Sequence, residues 1–322
     1  MRPVRGKRPR LVTIGDLTLD IVVRQEAGFE SGTDVPAQIS FRAGGSAANT
    51  ARVFAGLGGA ATFIGAVGDD RMGDVLRKAL KQTGVTVHVF RSHGPTARLV
   101  VSLATNGERS FLTDRGTADS LAWRDIKPIW LERADVLHLP AYSLLTPPMS
   151  DTAREAARHA HAAGTLVSVD LASRRPLLAG GSAAARARIA AVEADVLFAN
   201  HDEAAALVGP RGLRRLLELA PVAVVKAGAA GCAVFWTGDA GQALQIDLAT
   251  RYIAAADTTG AGDAFDAGFL HAYIAAREGG PAGAAGAAGA AGRGAVALRR
   301  AALAGQRAAS AFLGKPRVEL TL

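Results

Sequence analysis

An α/β fold built on a mostly parallel sheet is predicted by two observations. Short apolar runs alternate with Ala-rich, Arg-dotted helical stretches along nearly the whole chain, the pattern of repeated βαβ units. Two regions break that rhythm with paired strand-like stretches and few helices beside them, which predicts a small second sheet projecting from the α/β body. The composition agrees. Of 322 residues, 49% are apolar and 20% charged, a globular mixture, and an aromatic share of 5% leaves the core to Ala, Val, Leu and Ile.

In chain order, Leu11–Gly15 is the first buried strand. Asp20–Phe41 then holds two β-like stretches, Ile21–Arg24 and Ala37–Phe41, around a turn containing Gly and Asp. Ser46–Leu57 reads as a helix, Ala61–Val67 as a strand and Met72–Gln82 as a helix. Ala97–Thr113 reads as a hairpin, because Asn106-Gly107 between two strand-like runs favours a tight turn. Strands Asp135–Leu139, Thr165–Asp170, Asp195–Ala199 and Val222–Lys226 follow, with helices Ser150–Ala163 and Ala184–Val192 among them. A last helical stretch, Ala264–Ala276, leads into Gly279–Gly294, whose GGPAGAAGAAGAAGRG reads as a flexible low-complexity loop. A nucleotide-contacting role is the alternative for that loop.

Charge and cysteine content narrow the function. The net charge is +8, but Arg2, Arg5, Lys7, Arg8 and Arg10 supply five of the eight, so residues 1–10 read as a solvated basic tail on a nearly neutral domain, residues 11–322. No aromatic is interleaved with those charges, which argues against nucleic acid. No run of ~18 apolar residues exists to span a membrane, and the tail lacks a signal peptide's apolar stretch. The expectation is a soluble, cytoplasmic protein. The single cysteine, Cys232, excludes an internal disulfide and a cysteine-built zinc site.

P-loop, dinucleotide-binding G-x-G-x-x-G, H-E-x-x-H and G-x-S-x-G signatures are all missing. What stands out is Asp257-Thr258-Thr259-Gly260-Ala261-Gly262-Asp263-Ala264-Phe265 ahead of a helix. Small residues there leave the first helical N–H groups exposed at the positive end of the dipole, an anion hole suited to a phosphate in transfer. Asp263 at its mouth reads either as a helix cap or as the acceptor of a hydroxyl proton.

That nine-residue run resembles the C-terminal signature of the ribokinase (pfkB) family of carbohydrate and nucleoside kinases. The N-terminal signature also appears, in Gly44-Gly45-Ser46-Ala47-Ala48-Asn49, Leu57-Gly58, Gly65-Ala66-Val67-Gly68-Asp69-Asp70 and Gly73, about 200 residues earlier. The resemblance implies a ribokinase-like three-layer α/β/α sandwich with a small β lid from about 20–42 and 95–112. It implies transfer of the ATP γ-phosphoryl group to a primary hydroxyl, with Asp263 as base and Gly260, Ala261 and Gly262 completing the anion hole. Asp263 is expected to be ionised at neutral pH. Asn200 and Glu203 resemble the N-x-x-E motif that organises Mg²⁺ through water, and Asn200 alone reads as a helix N-cap. Lys226, Gly228 and Gly231 resemble the [TK]-x-G-x-x-G turn that approaches the nucleotide. Asp257 resembles the aspartate that helps hold a monovalent cation such as K⁺. Arg174, four residues after Asp170, matches a D-x-x-x-R pattern of keto-deoxy sugar kinases, although Ala172 stands where that pattern has Asn; a surface salt bridge is its plain reading.

The acceptor site is expected from Asp16, Asp20, Gly44, Gly45 and Asn49. If the chain stays extended, Asp16 and Asp20 share a face, and Asp20 better matches the acid that binds sugar hydroxyls. Asp16 caps or braces otherwise. A ribokinase-type glutamate is absent where Tyr142 stands, and Ser46 takes the place of a lysine after the glycine pair. Both lean toward a neutral or simple acidic sugar, with a nucleoside as runner-up and a non-catalytic sugar-binding homologue third. A homodimer formed through the lid is also expected.

Overall fold

The computed structural model describes residues 8–322 except 27, 29, 105–108, 252, 254–256, 279–286, 317 and 322; side chains at 109, 278 and 287–293 lie outside the description. β1 (Arg10–Ile14) opens the main sheet, and β2 (Thr18–Gln25) and β3 (Ala37–Gly44) leave it as an antiparallel pair. α1 (Ser46–Gly56), β4 (Ala60–Gly68), α2 (Arg71–Gln82) and β5 (Thr86–Ser92) return to the body. β6 (Arg98–Leu103) and β7 (Arg109–Asp114) rejoin the small sheet. The parallel run continues through β8 (Val136–Pro140), α3 (Met149–Ala162), β9 (Leu166–Asp170), the single turn α4 (Arg174–Leu177), α5 (Gly181–Ala190), β10 (Val196–Asn200), α6 (His201–Val208) and β11 (Val222–Lys226). β12 (Cys232–Thr237) and β13 (Ala243–Leu248) add an antiparallel edge, and α7 (Ala261–Glu278) and α8 (Ala287–Leu313) close the chain.

The main sheet runs β13-β12-β11-β10-β9-β8-β1-β4-β5, and the lid runs β3-β2-β6-β7. Period-two alternation splits each central strand between two cores. Val196 and Phe198 of β10 pack with Phe54, Phe269 and Leu298 on one face of the sheet. Leu197 and Ala199 pack with Ala157, Ile189 and Leu207 on the other. Helices therefore cover both faces, as near-continuous apolar strands require.

Parallel strands deliver their last residues to one edge, where open α/β sheets place ligands. Asp170 ends β9, Asn200 ends β10 and Lys226 ends β11. The register sets Phe198 opposite Asp170 and Asn200 opposite Lys226, so those side chains cluster at one end of the sheet. The small sheet lies at the same end, because β2 and β3 join β1 and α1 there.

Four expectations need correction or bounding. The basic tail is shorter than residues 1–10. Arg8 donates to the Gly58 and Gly59 carbonyls at 2.7 and 2.8 Å, Ala60 N–H donates to Pro9 O at 2.8 Å, and Arg10 already pairs with Ala60 in β1, so backbone pairing captures the chain from Arg8. Residues 1–7 lie outside the described residues. Of the expected flexible loop 279–294, residues 279–286 also lie outside them, while α8 begins at Ala287. Alanine, the strongest helix former, carries that second half into a helix. The lid is slightly larger than 20–42 and 95–112: β2 begins at Thr18, β3 ends at Gly44 and β7 ends at Asp114. The hairpin turn Thr105–Glu108 lies outside the described residues, although β6 and β7 pair antiparallel on either side of it.

Candidate active site

The turn before α7 is tightly packed. Gly260 adopts φ 82°, and a Cβ there would stand 2.9 Å from the Phe312 ring and 3.3 Å from Asn49 Nδ2, so only glycine fits. Ala261 N–H donates to Thr258 O at 3.1 Å and Ala264 N–H to Gly260 O at 3.0 Å. Ala261 is thus spent on the turn, and among the described residues the Gly262 and Asp263 amides are the first-turn donors left to face a ligand.

Asp263 is gripped from the N-terminal half of the chain. Ser46 Oγ donates to Asp263 Oδ1 and Asn49 Nδ2 to Oδ2, both at 2.7 Å. Burial raises its carboxyl to about 6, against the two hydrogen bonds and Lys226, which lower it. A carboxyl near 6 is still mostly ionised at neutral pH, although desolvation outweighs the helix terminus.

The residues expected to form the acceptor site lie near that carboxyl, and the charges of Asp16 and Asp263 both act on Asp20. Asp20 is 7% exposed and accepts from Thr18 Oγ1 at 2.7 Å. Its carboxyl is raised to about 7, first by burial, with Asp16 and Asp263 adding to the rise and Arg52 opposing it. Gly44 lies against that carboxylate; a Cβ there would sit 2.1 Å from either oxygen. Gly45, at φ 99°, backs onto the Asp16 carbonyl and begins α1. Asp16 follows a bend at Gly15 and lies just before β2, and its charge acts on Asp20. It serves as a brace, meeting Arg115 Nη1 at 3.2 Å and Ala47 N–H at 3.4 Å. Arg115 also pairs with Asp119 and lies 4.7 Å over the Tyr142 ring.

At the end of β10, Asn200 caps α6 and Glu203 returns the bond, each at 2.8 Å, a reciprocal capping box. Burial and the charge of Asp170 raise the Glu203 carboxyl to about 7. Gly228 and Gly231 form the turn after β11. Lys226 turns inward: its Nζ lies 3.1 Å from Asp170 Oδ2 and 3.0 Å from Asp266 Oδ1, against the first turn of α7, 3.3 Å from where a Gly262 Cβ would stand. Burial pushes Asp266 well above the usual carboxylate range, and it shares a hydrogen bond with Asp170. Asp257 pairs with Arg42 at 2.7 Å and accepts Thr259 N–H at 2.9 Å. Arg174 is exposed, and Ala172 sits at φ 56°, a left-handed conformation that Asn tolerates better than Ala.

Sequence reasoning missed Arg42, Arg52, Arg115 and Asp266. Arg52 reaches Asn49 and the Ala43 carbonyl, and it stands three residues after Asn49 as Asp266 does after Asp263. That helical spacing is the one signal that tied either residue to the site.

No group of three or more metal-ligating side chains occurs among the described residues. Glu203 fits a water-mediated contact, since Asp170 and Glu203 concentrate negative charge that a cation would relieve.

Residues 8–315 match the pfkB family carbohydrate kinase description. The chain is 34% identical over 269 residues to fructokinase-2 of Oryza sativa subsp. japonica, covering 79% of this chain and 77% of that one. Among solved structures it is similar to the adenosine kinase of Sinorhizobium meliloti, with TM-score 0.78, 26% identity and coverage of 96% and 95%. A double mutant of the Vibrio cholerae O395 fructokinase, solved with fructose, ADP and potassium ion, shares the fold at TM-score 0.75 and 21% identity, covering 97% and 94%. The chain belongs to the pfkB family of carbohydrate kinases, ATP-dependent phosphotransferases that act on an alcohol group.

Proposed function

We propose that this kinase phosphorylates a primary hydroxyl of a small sugar or sugar acid held between Asp20, Asn49 and the glycine pair Gly44–Gly45. One observation carries the reading. Asp263, at the N-terminus of α7, receives its two hydrogen bonds from Ser46 and Asn49, on the helix that begins at Gly45. A hydroxyl displacing one of them would stand against both the base and the anion hole. Asp263 then accepts the hydroxyl proton late, as a loose phosphoryl-transfer transition state allows. The Gly262 and Asp263 amides stabilise the equatorial oxygens. Lys226 fixes the back of the turn, and Asn200 and Glu203 orient water around a divalent ion, here taken as Mg²⁺, whose chemistry is to neutralise phosphate charge.

A neutral acceptor is supported by the surroundings of Asp20. The nearby guanidiniums already have partners: Arg52 faces Asn49 and the Ala43 carbonyl, and Arg115 faces Asp16 and Asp119. The 26% identity to an adenosine kinase supports a nucleoside as the second reading. Residues 11–322 act in this reading as one catalytic domain with its lid, and the reaction is cytoplasmic, where ATP is available. Exposed Ile39, Phe111 and Leu112 on the lid strands, 60%, 50% and 71% accessible, support a homodimer through the lid, which sedimentation would read as a doubled mass. K⁺ is given no part, because Arg42 already faces Asp257.

The test is ATP consumption against a panel of ketohexoses, pentoses, sugar acids and nucleosides. The largest kcat/KM should fall on a small sugar. A nucleoside at the top would replace that reading with the second one, and no turnover with any acceptor would leave a binding protein.

A further inference from the structure

We propose that Arg42 is a tethered cation: its guanidinium, carried by the lid, neutralises Asp257 behind the anion hole, so the enzyme needs no monovalent ion there. The proposal rests on the kinase reading. Asp257 opens the Asp257–Asp263 turn, whose front receives a phosphate. A bare carboxylate in that turn would oppose the incoming anion, so the turn needs a compensating positive charge.

The structure supplies it. Arg42 Nη1 lies 2.7 Å from Asp257 Oδ2, and the two side chains are only 17% and 10% exposed. Oδ1 is taken by Thr259 N–H at 2.9 Å, so both oxygens already have donors. A monovalent ion bound to Oδ2 would crowd a guanidinium that cannot lose its charge. Donor set and ion therefore do not fit together while Arg42 holds its place. The pair is also sheltered enough to be worth more than a surface ion pair.

Arg42 has a definite position in the fold. It stands directly across from Asp20 in the β2–β3 register and two residues before Gly44. Directly opposed residues of an antiparallel pair project from the same face, so Arg42 and Asp20 share one face of the lid. The strand that frames the acceptor thus also brings the charge that completes the phosphate site, over a sequence separation of 215 residues.

The experiment compares KCl, NaCl and choline chloride at equal ionic strength. Wild-type kcat and Mg·ADP affinity should differ by less than about twofold among the three salts. Arg42→Met in choline chloride should lose about tenfold or more in kcat and recover most of it in KCl. Its melting temperature should rise in KCl over choline chloride, while that of the wild type should not. Arg42→Lys should keep the charge and the salt indifference. If Arg42→Met does not fold, Arg42→Met with Asp257→Asn removes both charges and should turn over without K⁺. Strong K⁺ stimulation of the wild type, full Arg42→Met activity in choline, or K⁺ dependence of the double variant would each overturn the proposal. The melting comparison needs neither nucleotide nor acceptor, so its outcome is separable from that of the kinase reading.

Discussion

A carboxylate at a helix N-terminus should be an easy anion, yet Asp263 is held near 6. The helix dipole and two hydrogen bonds favour the charge, and desolvation together with the charge of Asp170 opposes it more strongly. At pH 7 about nine-tenths of the groups are still ionised, so the base is available and only modestly strengthened. The acid limb of kcat, measured at saturating acceptor and Mg²⁺, should therefore break near pH 6, and that break should vanish in Asp263→Asn. That variant should lose ~10²–10⁴ in kcat while binding Mg·ATP as before. Near-normal turnover would return Asp263 to the role of a cap. A limb breaking near 4 would mean that burial is not felt during turnover.

Between residues and the whole lie the elements that aim them. α6 is short, and its first turn holds Glu203 through the Asn200 box. Glutamine fits the same box, so Glu203→Gln separates charge from structure. Melting temperature should hold, while the Mg²⁺ concentration for half-maximal rate should rise about tenfold. A change confined to the acceptor KM would remove the metal role. The elements themselves were legible because each inner strand is an apolar run between amphipathic helices. The anion-hole turn was legible because its small residues and two carboxylates lie within seven consecutive positions, Asp257 to Asp263. The inward charges were not. Arg42 sits in an alternating lid strand and reads as solvent-facing, and its partner lies 215 residues away. Lys226 looked like part of a turn because nothing local announces Asp170 and Asp266 as its partners, 56 and 40 residues distant.

At the scale of the molecule, lid and body meet at Asp20, which makes its protonation a property of the assembled fold. The carboxyl rises from 3.8 to about 7 because the lid and body together bury it, with Asp16 and Asp263 adding repulsion. A folded-state pKa above the unfolded one means that the native state binds the proton more tightly. The associated stability is present in full below about 4 and is lost as pH climbs toward 7. Asp20→Asn, which can keep the Thr18 hydrogen bond, should remove that slope. Relative to wild type it should gain on the order of 2–4 kcal/mol between pH 4 and pH 8 in denaturant unfolding. In the proposed function the same titration would govern binding, since an ionised carboxylate can accept hydrogen bonds from two vicinal hydroxyls. Acceptor KM should rise as pH falls below about 7 in wild type, with Mg·ADP affinity steady, and Asp20→Ala should cost ~2–5 kcal/mol in kcat/KM at pH 8. A flat stability difference across that pH range would show that Asp20 is not buried as an acid. An unchanged acceptor KM in Asp20→Ala would leave it as a lid-strand charge with no share in binding.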